Sequence, residues 1–218
     1  MNKYLIFKRA FDIFFSFVGL LFLIPLFLVV SLAIRIDSKG RAIFKQVRVG
    51  KDCKKFNIIK FRTMAINAEG VNEVTKLGKF LRKTSIDELP QLINVLIGEM
   101  SFIGPRPWIE EYTNYFTETE KRRSEVLPGL SGWAQVKGRN GISIQEKLEL
   151  DIWYVDNISF KTDLTILFKT IQIVLKKTNT SITENGIKNE LDELKKCYYT
   201  KTNNNKVKME LKEKTNEN

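Results

Sequence analysis

The chain has 218 residues, with 36 Lys and Arg against 25 Asp and Glu, which gives a formal net charge of +11. It contains no histidine, so Ser-His-Asp triads and His-ligated zinc are excluded, and acid-base or metal chemistry must use carboxylates, Lys, Tyr or the two cysteines. The length fits one domain, with or without an appendage, and the charge predicts an anionic partner: nucleic acid, phospholipid headgroups or a phosphorylated small substrate.

The first predicted element is an apolar segment from Ile13 to Ile34, which has 22 residues and no charge. As a straight helix it would measure about 33 Å, enough to cross the hydrocarbon core of a bilayer. It is longer than the apolar core of a signal peptide, and no small-residue cleavage site follows it. We therefore expect a retained membrane helix rather than a buried core helix, because no other segment is apolar enough to cover it.

Pro25 lies near the middle of this segment and predicts a break in the membrane helix, because proline removes one intrahelical hydrogen bond and clashes with the preceding turn. Basic residues flank both ends of the segment, and positive flanks favour the cytoplasmic side. Two interpretations stay open: a re-entrant helix that enters one leaflet and returns, and a kinked helix that spans the bilayer. Both place the following domain in the cytoplasm.

Residues 41–62 carry eight Lys or Arg and one acidic residue, interleaved with apolar side chains. The pattern predicts two short strands joined by a turn at residues 50–52. A basic sheet directly after a membrane segment lies where anionic headgroups and phosphorylated ligands are found. Nucleic acid is the competing partner, but the chain has no helix-turn-helix, zinc or RNA-binding signature, so we expect no nucleic-acid partner.

The segment SIDELP, residues 85–90, predicts the start of a helix with Asp87 and Glu88 in its first turn. One interpretation is structural, since Ser85 and Glu88 have the spacing of a capping box and acidic residues stabilise helix N-termini. The other is chemical: a carboxylate at the positive end of a helix, close to Arg82, would have a lowered pKa and could act as a nucleophile or hold Mg²⁺. Asp87 would be that carboxylate.

Downstream, Arg106 lies between two prolines in the turn 98–107. An arginine with so little backbone freedom suits a bidentate phosphate contact, and an ordinary surface loop is the alternative. Residues 146–171 have apolar positions at helical spacing, which fits a helix on the membrane surface and a core-facing helix equally well. From about Thr178 onward the chain is polar and predicts a mobile tail, with a possible short helix at 190–199.

These segments together resemble the bacterial membrane-associated sugar-1-phosphate transferases, also called monotopic phosphoglycosyl transferases. That family starts the assembly of lipid-linked polysaccharides and glycoprotein glycans, and the resemblance runs from about Lys8 to Lys177. It rests on several blocks in the same order: KRAFD at 8–12, FKQVRVG at 44–50, KFRTM at 60–64, SIDELPQ at 85–91, GPRP at 104–107, PGLSGWAQV at 128–136 and GRN at 138–140.

The resemblance implies a catalytic pair, Asp87 and Glu88, with Mg²⁺ held by Asp87. In that family the aspartate attacks the phosphate attached to the sugar of a UDP-sugar, UMP leaves, and the covalent phosphosugar passes to a polyprenyl phosphate. The family's first helix is re-entrant, which favours that interpretation of Pro25. Phosphoryl transfer also needs positive charge around the substrate. The residues expected to supply it are Lys60, Arg62, Arg82, Arg106 and Arg139.

We therefore expect an α+β fold: a re-entrant membrane helix (1–38), a small, mainly helical catalytic domain with short strands (39–178) and a polar mobile tail (179–218). The expected location is the cytoplasmic face of the cell inner membrane, against inner-leaflet phospholipids. The expected reaction transfers a sugar 1-phosphate from a UDP-sugar to undecaprenyl phosphate. The segment 138–160 resembles members that use N-acetylated amino sugars; UDP-glucose or UDP-galactose, and a non-catalytic basic membrane scaffold, are the alternatives.

Overall fold

The longest element of the protein is helix α1, Lys3–Asp37. The structure is a computed structural model that describes residues 3–66, 72–138, 142–175 and 191–200. Within these ranges α1 is the one helix long and apolar enough to cross a membrane. It stays helical through Pro25, so the structure shows no interruption of the helix at the residue where the sequence predicted a break. Its buried residues lie toward its two ends, with Asp12 and Ser16 in one half and Val30 and Ile34 in the other.

The N-terminal half of α1 is attached to the domain that follows it. Arg9 donates from Nη1 and Nη2 to the carbonyls of Val95 and Leu96, at 2.6 and 2.8 Å. Asp12 accepts a hydrogen bond from the main-chain N–H of Phe102 at 3.1 Å. Arg9 and Asp12 both precede the apolar segment that begins at Ile13. The N-terminal half of the helix is therefore fixed by polar groups as well as by packing.

The C-terminal end of α1 is attached to the same domain by Arg62. Its guanidinium donates to the carbonyls of Ser38 and Lys39, each at 2.7 Å. The carbonyls at and just after a helix end lack intrahelical partners, so an arginine is a favourable partner for them. Val30 and Ile34 pack beside this contact against a core formed by the start of the domain.

Two strands follow α1 and confirm the predicted hairpin: β1, Ile43–Val49, and β2, Lys55–Phe61, pair antiparallel. A single turn of 3₁₀ helix, Lys51–Cys53, joins them. Two further two-stranded sheets are small, one antiparallel (β3 with β4) and one parallel (β5 with β6). These strands have the bounds β3 Met64–Ile66, β4 Asn72–Val74, β5 Ser101–Ile103 and β6 Gly129–Ser131.

The described remainder of the domain that follows α1 is mainly helical, which confirms the predicted α+β class. Short helices α2 to α6 precede the longer α7 and α8, and two segments of 3₁₀ helix interrupt the series. The bounds are α2 Lys76–Thr84, 3₁₀ Ile86–Gln91, α3 Leu92–Ile97, α4 Glu110–Thr113, α5 Glu118–Lys121, 3₁₀ Arg122–Glu125, α6 Trp133–Lys137, α7 Ile144–Asp156 and α8 Phe160–Leu175.

Asn94 joins α3 to β2 and sets the distance between them. Its side chain is fully buried. It accepts from the N–H of Ile59 at 3.0 Å and donates to the carbonyl of Asn57 at 2.8 Å. Because the Asp87–Glu88 segment leads into α3 and Lys60 lies on β2, this amide connects the two parts of the candidate site.

Residues 191–200 are helical, in agreement with the short helix predicted near 190–199. Leu194 is 2% exposed and packs against Tyr112, Phe116 and Leu148. This part of the chain is therefore a packed element, which differs from the expected mobile tail, because Leu194 finds an apolar surface that the sequence pattern did not reveal. The rest of the predicted tail beyond Leu175 lies outside the described residues.

Candidate active site

Asp87 and Glu88 lie in the 3₁₀ helix Ile86–Gln91, between α2 and α3. Ser85, which precedes this helix, has a left-handed backbone (φ 57°), and its side chain makes no capping hydrogen bond. A capping serine needs an extended backbone, but Ser85 also terminates α2, where its N–H donates to the Arg82 carbonyl at 3.2 Å. The capping-box interpretation of Ser85 and Glu88 was therefore wrong.

Glu88 is held by two cations. Its Oε1 lies 2.7 Å from Lys60 Nζ and 3.0 Å from Arg106 Nη2. Burial alone would raise the pKa of Glu88, but the charges of Arg106 and Lys60 together outweigh burial and lower it. Glu88 is consequently ionised near neutral pH, and both of its partners are fixed by the same oxygen.

Asp87 has the opposite environment from its neighbour. It is 8% exposed, and it makes no ion pair or hydrogen bond to another side chain in the described part of the chain. Burial, followed by the negative charge of Glu88, raises the pKa of Asp87 to about 6, while Lys60 and Arg82 oppose the shift. The expected lowering of this pKa was wrong, because desolvation and the adjacent carboxylate exceed the effect of the nearby cations.

Three of the predicted basic residues, Lys60, Arg82 and Arg106, lie at the carboxylates. Arg82 donates from Nε to Thr63 Oγ1 at 2.9 Å and lies close enough to Asp87 to lower the pKa of that carboxyl. Arg62 is not brought to the pair, because β2 ends at Phe61 and the guanidinium donates to the end of α1 instead. Arg139 lies outside the described residues.

Arg48 is a further basic residue of the site that the sequence analysis did not select. It extends from β1 beside Arg106, and its Nη1 donates weakly to the Pro107 carbonyl at 3.4 Å. Burial and the Arg106 charge lower the pKa of Arg48 to about 10, so it remains a cation at neutral pH. Its position inside the FKQVRVG block was the available signal, but a basic residue in an exposed hairpin is usually only solvated.

The turn that carries Arg106 is fixed on both sides. On one side, Gly104 and Gly129 lie so close that a Cβ on Gly129 would fall 2.1 Å from the Gly104 nitrogen. On the other, the Trp108 carbonyl accepts from the Val49 N–H at 3.0 Å. The prolines therefore do not act alone, and the arginine stands on a rigid segment.

No group of three or more Cys, Asp or Glu side chains within the described ranges could hold a metal ion by itself. Mg²⁺ commonly binds through one or two carboxylates and completes its shell with water and substrate phosphates. Within the described part of the chain Asp87 offers a carboxylate without a side-chain partner, whereas Glu88 is already bound to Lys60 and Arg106. The residues present would fit a Mg²⁺ ion with Asp87 as its carboxylate ligand.

Comparison with known proteins supplies an independent observation. Residues 3–177 match the model of a family described as "Bacterial sugar transferase". The chain is 44% identical over 178 residues to "Uncharacterized sugar transferase EpsL" of Bacillus subtilis (strain 168), an alignment that covers 78% of this chain and 88% of that protein.

Two further relatives have names that state a reaction. One is "UDP-glucose:undecaprenyl-phosphate glucose-1-phosphate transferase" of Klebsiella pneumoniae, 39% identical over 77% of this chain and 40% of that protein. The other is "UDP-N-acetylgalactosamine-undecaprenyl-phosphate N-acetylgalactosaminephosphotransferase" of Aeromonas hydrophila, 39% identical over 79% of this chain and 44% of that protein. The chain spans less than half the length of both.

Proposed function

The chain belongs to the bacterial sugar transferase family, and from that premise we propose that it transfers a sugar 1-phosphate from a UDP-sugar to undecaprenyl phosphate and releases UMP. The observation that carries the proposal is the buried Asp87 carboxylate, which has no side-chain partner among the described residues and belongs to a carboxylate pair with a cluster of basic groups around it. A diphosphate and a lipid phosphate together bring several negative charges, which such a cluster neutralises. The basic groups are Lys60, Arg82, Arg106 and Arg48.

Asp87 is the proposed nucleophile. Its raised pKa of about 6 leaves it mostly ionised at pH 7 and makes it more basic than an ordinary aspartate. A carboxylate oxygen attacks the phosphorus attached to the sugar, the bond from that phosphorus to the UMP oxygen breaks, and an aspartyl phosphosugar remains. An oxygen of undecaprenyl phosphate then attacks the same phosphorus, and the Asp87 carboxylate is regenerated.

The basic residues neutralise the charge that shifts during both steps. Lys60 and Arg106 converge on Glu88, so they present a fixed positive surface to the phosphates beside Asp87. Mg²⁺, when bound, would supply additional charge neutralisation for the departing UMP. Glu88 has a lowered pKa, so we assign it the role of organising the two cations rather than that of a proton carrier.

The attachments of α1 support a re-entrant helix at the cytoplasmic face of the inner membrane. Arg9 near one end and Arg62 at the other both hold the helix against the same domain. A helix that spans the bilayer would place its ends on opposite sides. The stretch between the ends, including Pro25, is the part proposed to enter the inner leaflet, with the catalytic domain of residues 39–178 outside it.

Helix α8 supports the same membrane placement. Phe160, Leu164, Phe168 and Ile171 are exposed and recur at helical spacing, so they form an apolar stripe along α8. The Phe160 ring packs against Phe7 of α1 at 6.3 Å between centroids, which joins the stripe to the exposed surface of α1. This continuity favours the membrane-surface interpretation of residues 146–171 for α8, with inner-leaflet phospholipids as the partner.

The proposed sugar is an N-acetylated amino sugar, on the basis of the family resemblance of residues 138–160. The relatives' own names include both a glucose and an N-acetylgalactosamine transferase. UDP-glucose and UDP-galactose are therefore the alternatives that the assay must include.

A panel of UDP-sugars tests the proposed function directly. The full chain in detergent, with Mg²⁺ and undecaprenyl phosphate, is expected to release UMP from at least one UDP-N-acetylamino sugar, and Asp87→Asn is expected to release none. Turnover confined to UDP-glucose or UDP-galactose would contradict the sugar assignment. Absence of UMP from every UDP-sugar, with folded protein in the assay, would contradict the transferase itself and favour a scaffold.

A further inference from the structure

Arg123 lies behind the turn that carries Arg106 and is almost fully buried, with 4% of its surface exposed. Its Nε and Nη2 donate to Asp151 Oδ2 on α7 at 3.0 and 2.7 Å. The same Nη2 also donates to the main-chain carbonyl of Arg106 at 2.6 Å. One guanidinium thus connects a long helix to the backbone of an active-site residue.

Two aromatic rings complete the environment of this guanidinium. Its Cζ lies 5.2 Å from the ring centroid of Trp108 and 5.8 Å from that of Phe116, within the range of cation–π contacts. Trp108 follows Arg106 by two residues, so Arg123 contacts the turn at its backbone and at the side chain beyond it. These contacts fix where the Arg106 main chain lies.

The guanidinium end of Arg106 is held less firmly than its main chain. Its side chain is 48% exposed and reaches Glu88 Oε1 at 3.0 Å. A long exposed arginine loses rotamer freedom when it binds a phosphate, and fixing its backbone beforehand reduces that loss. A guanidinium suits the supporting position because it donates in several directions at once, whereas a lysine ammonium acts as a point charge.

The Arg123–Asp151 pair itself is arranged unevenly. Both bonds from Arg123 go to Oδ2, and Asp151 Oδ1 is buried without a hydrogen-bond partner among the residues that the structure describes. A buried carboxylate with an unsatisfied oxygen is unfavourable for stability.

We propose that Arg123, oriented by Asp151, is a positioning residue for the transfer reaction: it fixes the Arg106 backbone so that the Arg106 guanidinium meets Glu88 and the substrate phosphates. This inference rests on the proposed function, because it assigns Arg106 to the phosphates. It adds residues from α7 and from the 3₁₀ helix Arg122–Glu125 to the support of the site.

The test uses conservative variants of the full chain, since Arg123→Ala would leave the Asp151 charge buried and unpaired, which strongly destabilises a fold. Arg123→Lys keeps the positive charge but loses the planar guanidinium that donates to Asp151 and to the Arg106 carbonyl at once. Arg122→Lys is the matched control, because Arg122 is adjacent in sequence and also donates to α7, at Asp156, 2.6 Å away. That pair is exposed, and the remaining Arg122 contact is to Glu125.

A double-mutant cycle separates positioning from general destabilisation. We expect Arg123→Lys to lower kcat/KM for UMP release about tenfold in the wild-type background and less than about twofold in the Arg106→Ala background, because groups in one network couple. Arg122→Lys is expected to change kcat/KM less than about twofold in both backgrounds. The melting temperature of each variant establishes that the assayed protein is folded.

Each other outcome has a separate meaning. Equal losses from Arg123→Lys in both backgrounds, or no loss in folded protein, would overturn the positioning role while UMP release by the wild type upholds the transferase. Should Arg123→Lys unfold at the assay temperature, Asp151→Glu, which keeps the buried charge paired but moves the carboxylate, enters the same cycle with the same expectations. Absence of UMP from the wild type overturns the proposed function and this inference with it.

Discussion

The two sides of the Arg106 turn differ in how their buried charges are paired: Asp87 lies on the front side, and the Arg123–Asp151 pair lies on the rear side. In front, Asp87 is buried without a side-chain partner in the described ranges, and the charges of Lys60 and Arg82 act on it. Behind, the charges of Arg123 and Asp151 are buried as a pair and enclosed by aromatic rings. In the proposed mechanism the front receives a charged ligand, whereas the rear keeps the turn in place. Changes in front should therefore affect turnover, and changes at the rear should affect stability as well.

Asp87→Asn should separate activity from stability most clearly. It removes the proposed nucleophile, so we expect a loss of UMP release of about 10⁴-fold or more. The raised pKa of Asp87 means that its ionised carboxylate is less favourable in the folded state than in the unfolded state. The neutral amide of the variant should therefore leave the melting temperature at pH 7 unchanged or higher. A folded variant with near-normal turnover would remove Asp87 from the reaction.

Glu88→Gln should have the next largest effect. The amide cannot balance Lys60 and Arg106, so both cations lose their common anchor. We expect kcat/KM for UMP release to fall about 10²-fold. Asp87→Glu is the variant to compare with it, because Asp87→Glu keeps both negative charges of the pair but moves the oxygen proposed to attack the phosphorus. Full activity of Glu88→Gln would show that the two cations hold their positions without Glu88.

The pH dependence should report the Asp87 environment. With a pKa of about 6, about a tenth of this carboxylate is ionised at pH 5, so kcat/KM should rise about tenfold toward pH 7. Stability should move in the other direction: a raised carboxyl pKa stabilises the folded state at low pH, and that contribution is lost as pH rises through about 6. A flat rate profile between pH 5 and 7 would contradict the burial of Asp87 in the free enzyme.

Leu194→Ala tests the rear of the molecule and should have the smallest effect on chemistry. Leu194 is 2% exposed and packs on Tyr112 and Phe116, so its truncation should lower the free energy of unfolding by about 2 kcal/mol or more. Glu193→Ala, at an exposed position of the same helical segment, is the matched control and should cost less than about 0.5 kcal/mol. Equal melting temperatures for the two variants would show that residues 191–200 do not pack in solution.

Local patterns predicted the elements that depend on local physics. The uncharged run predicted α1, the alternation of basic and apolar residues predicted the β1–β2 hairpin, and the start signals after α2 located Asp87 and Glu88 near the beginning of a helix. Each of these follows from periodicity or turn chemistry within a short window. The packed helix at 191–200 was anticipated as an element but not as part of the core.

The errors arose where tertiary contacts decide. Arg62 is directed to the end of α1 because two carbonyls there lack partners, which no spacing rule indicates. The pKa of Asp87 is raised rather than lowered, because burial exceeds the effect of neighbouring cations. The supporting role proposed for Arg123 likewise depends on Asp151, 28 positions away.

The most direct test of the central claim is the half-reaction without lipid. The full chain, Mg²⁺ and the accepted UDP-sugar, with no polyprenyl phosphate, should release up to one UMP per active site and leave the protein heavier by one sugar phosphate. Peptide mapping should place that mass on Asp87, and Asp87→Asn should show neither UMP nor the adduct. Strict dependence of UMP release on added undecaprenyl phosphate, with no adduct on the protein, would contradict covalent transfer and favour direct transfer between the two substrates.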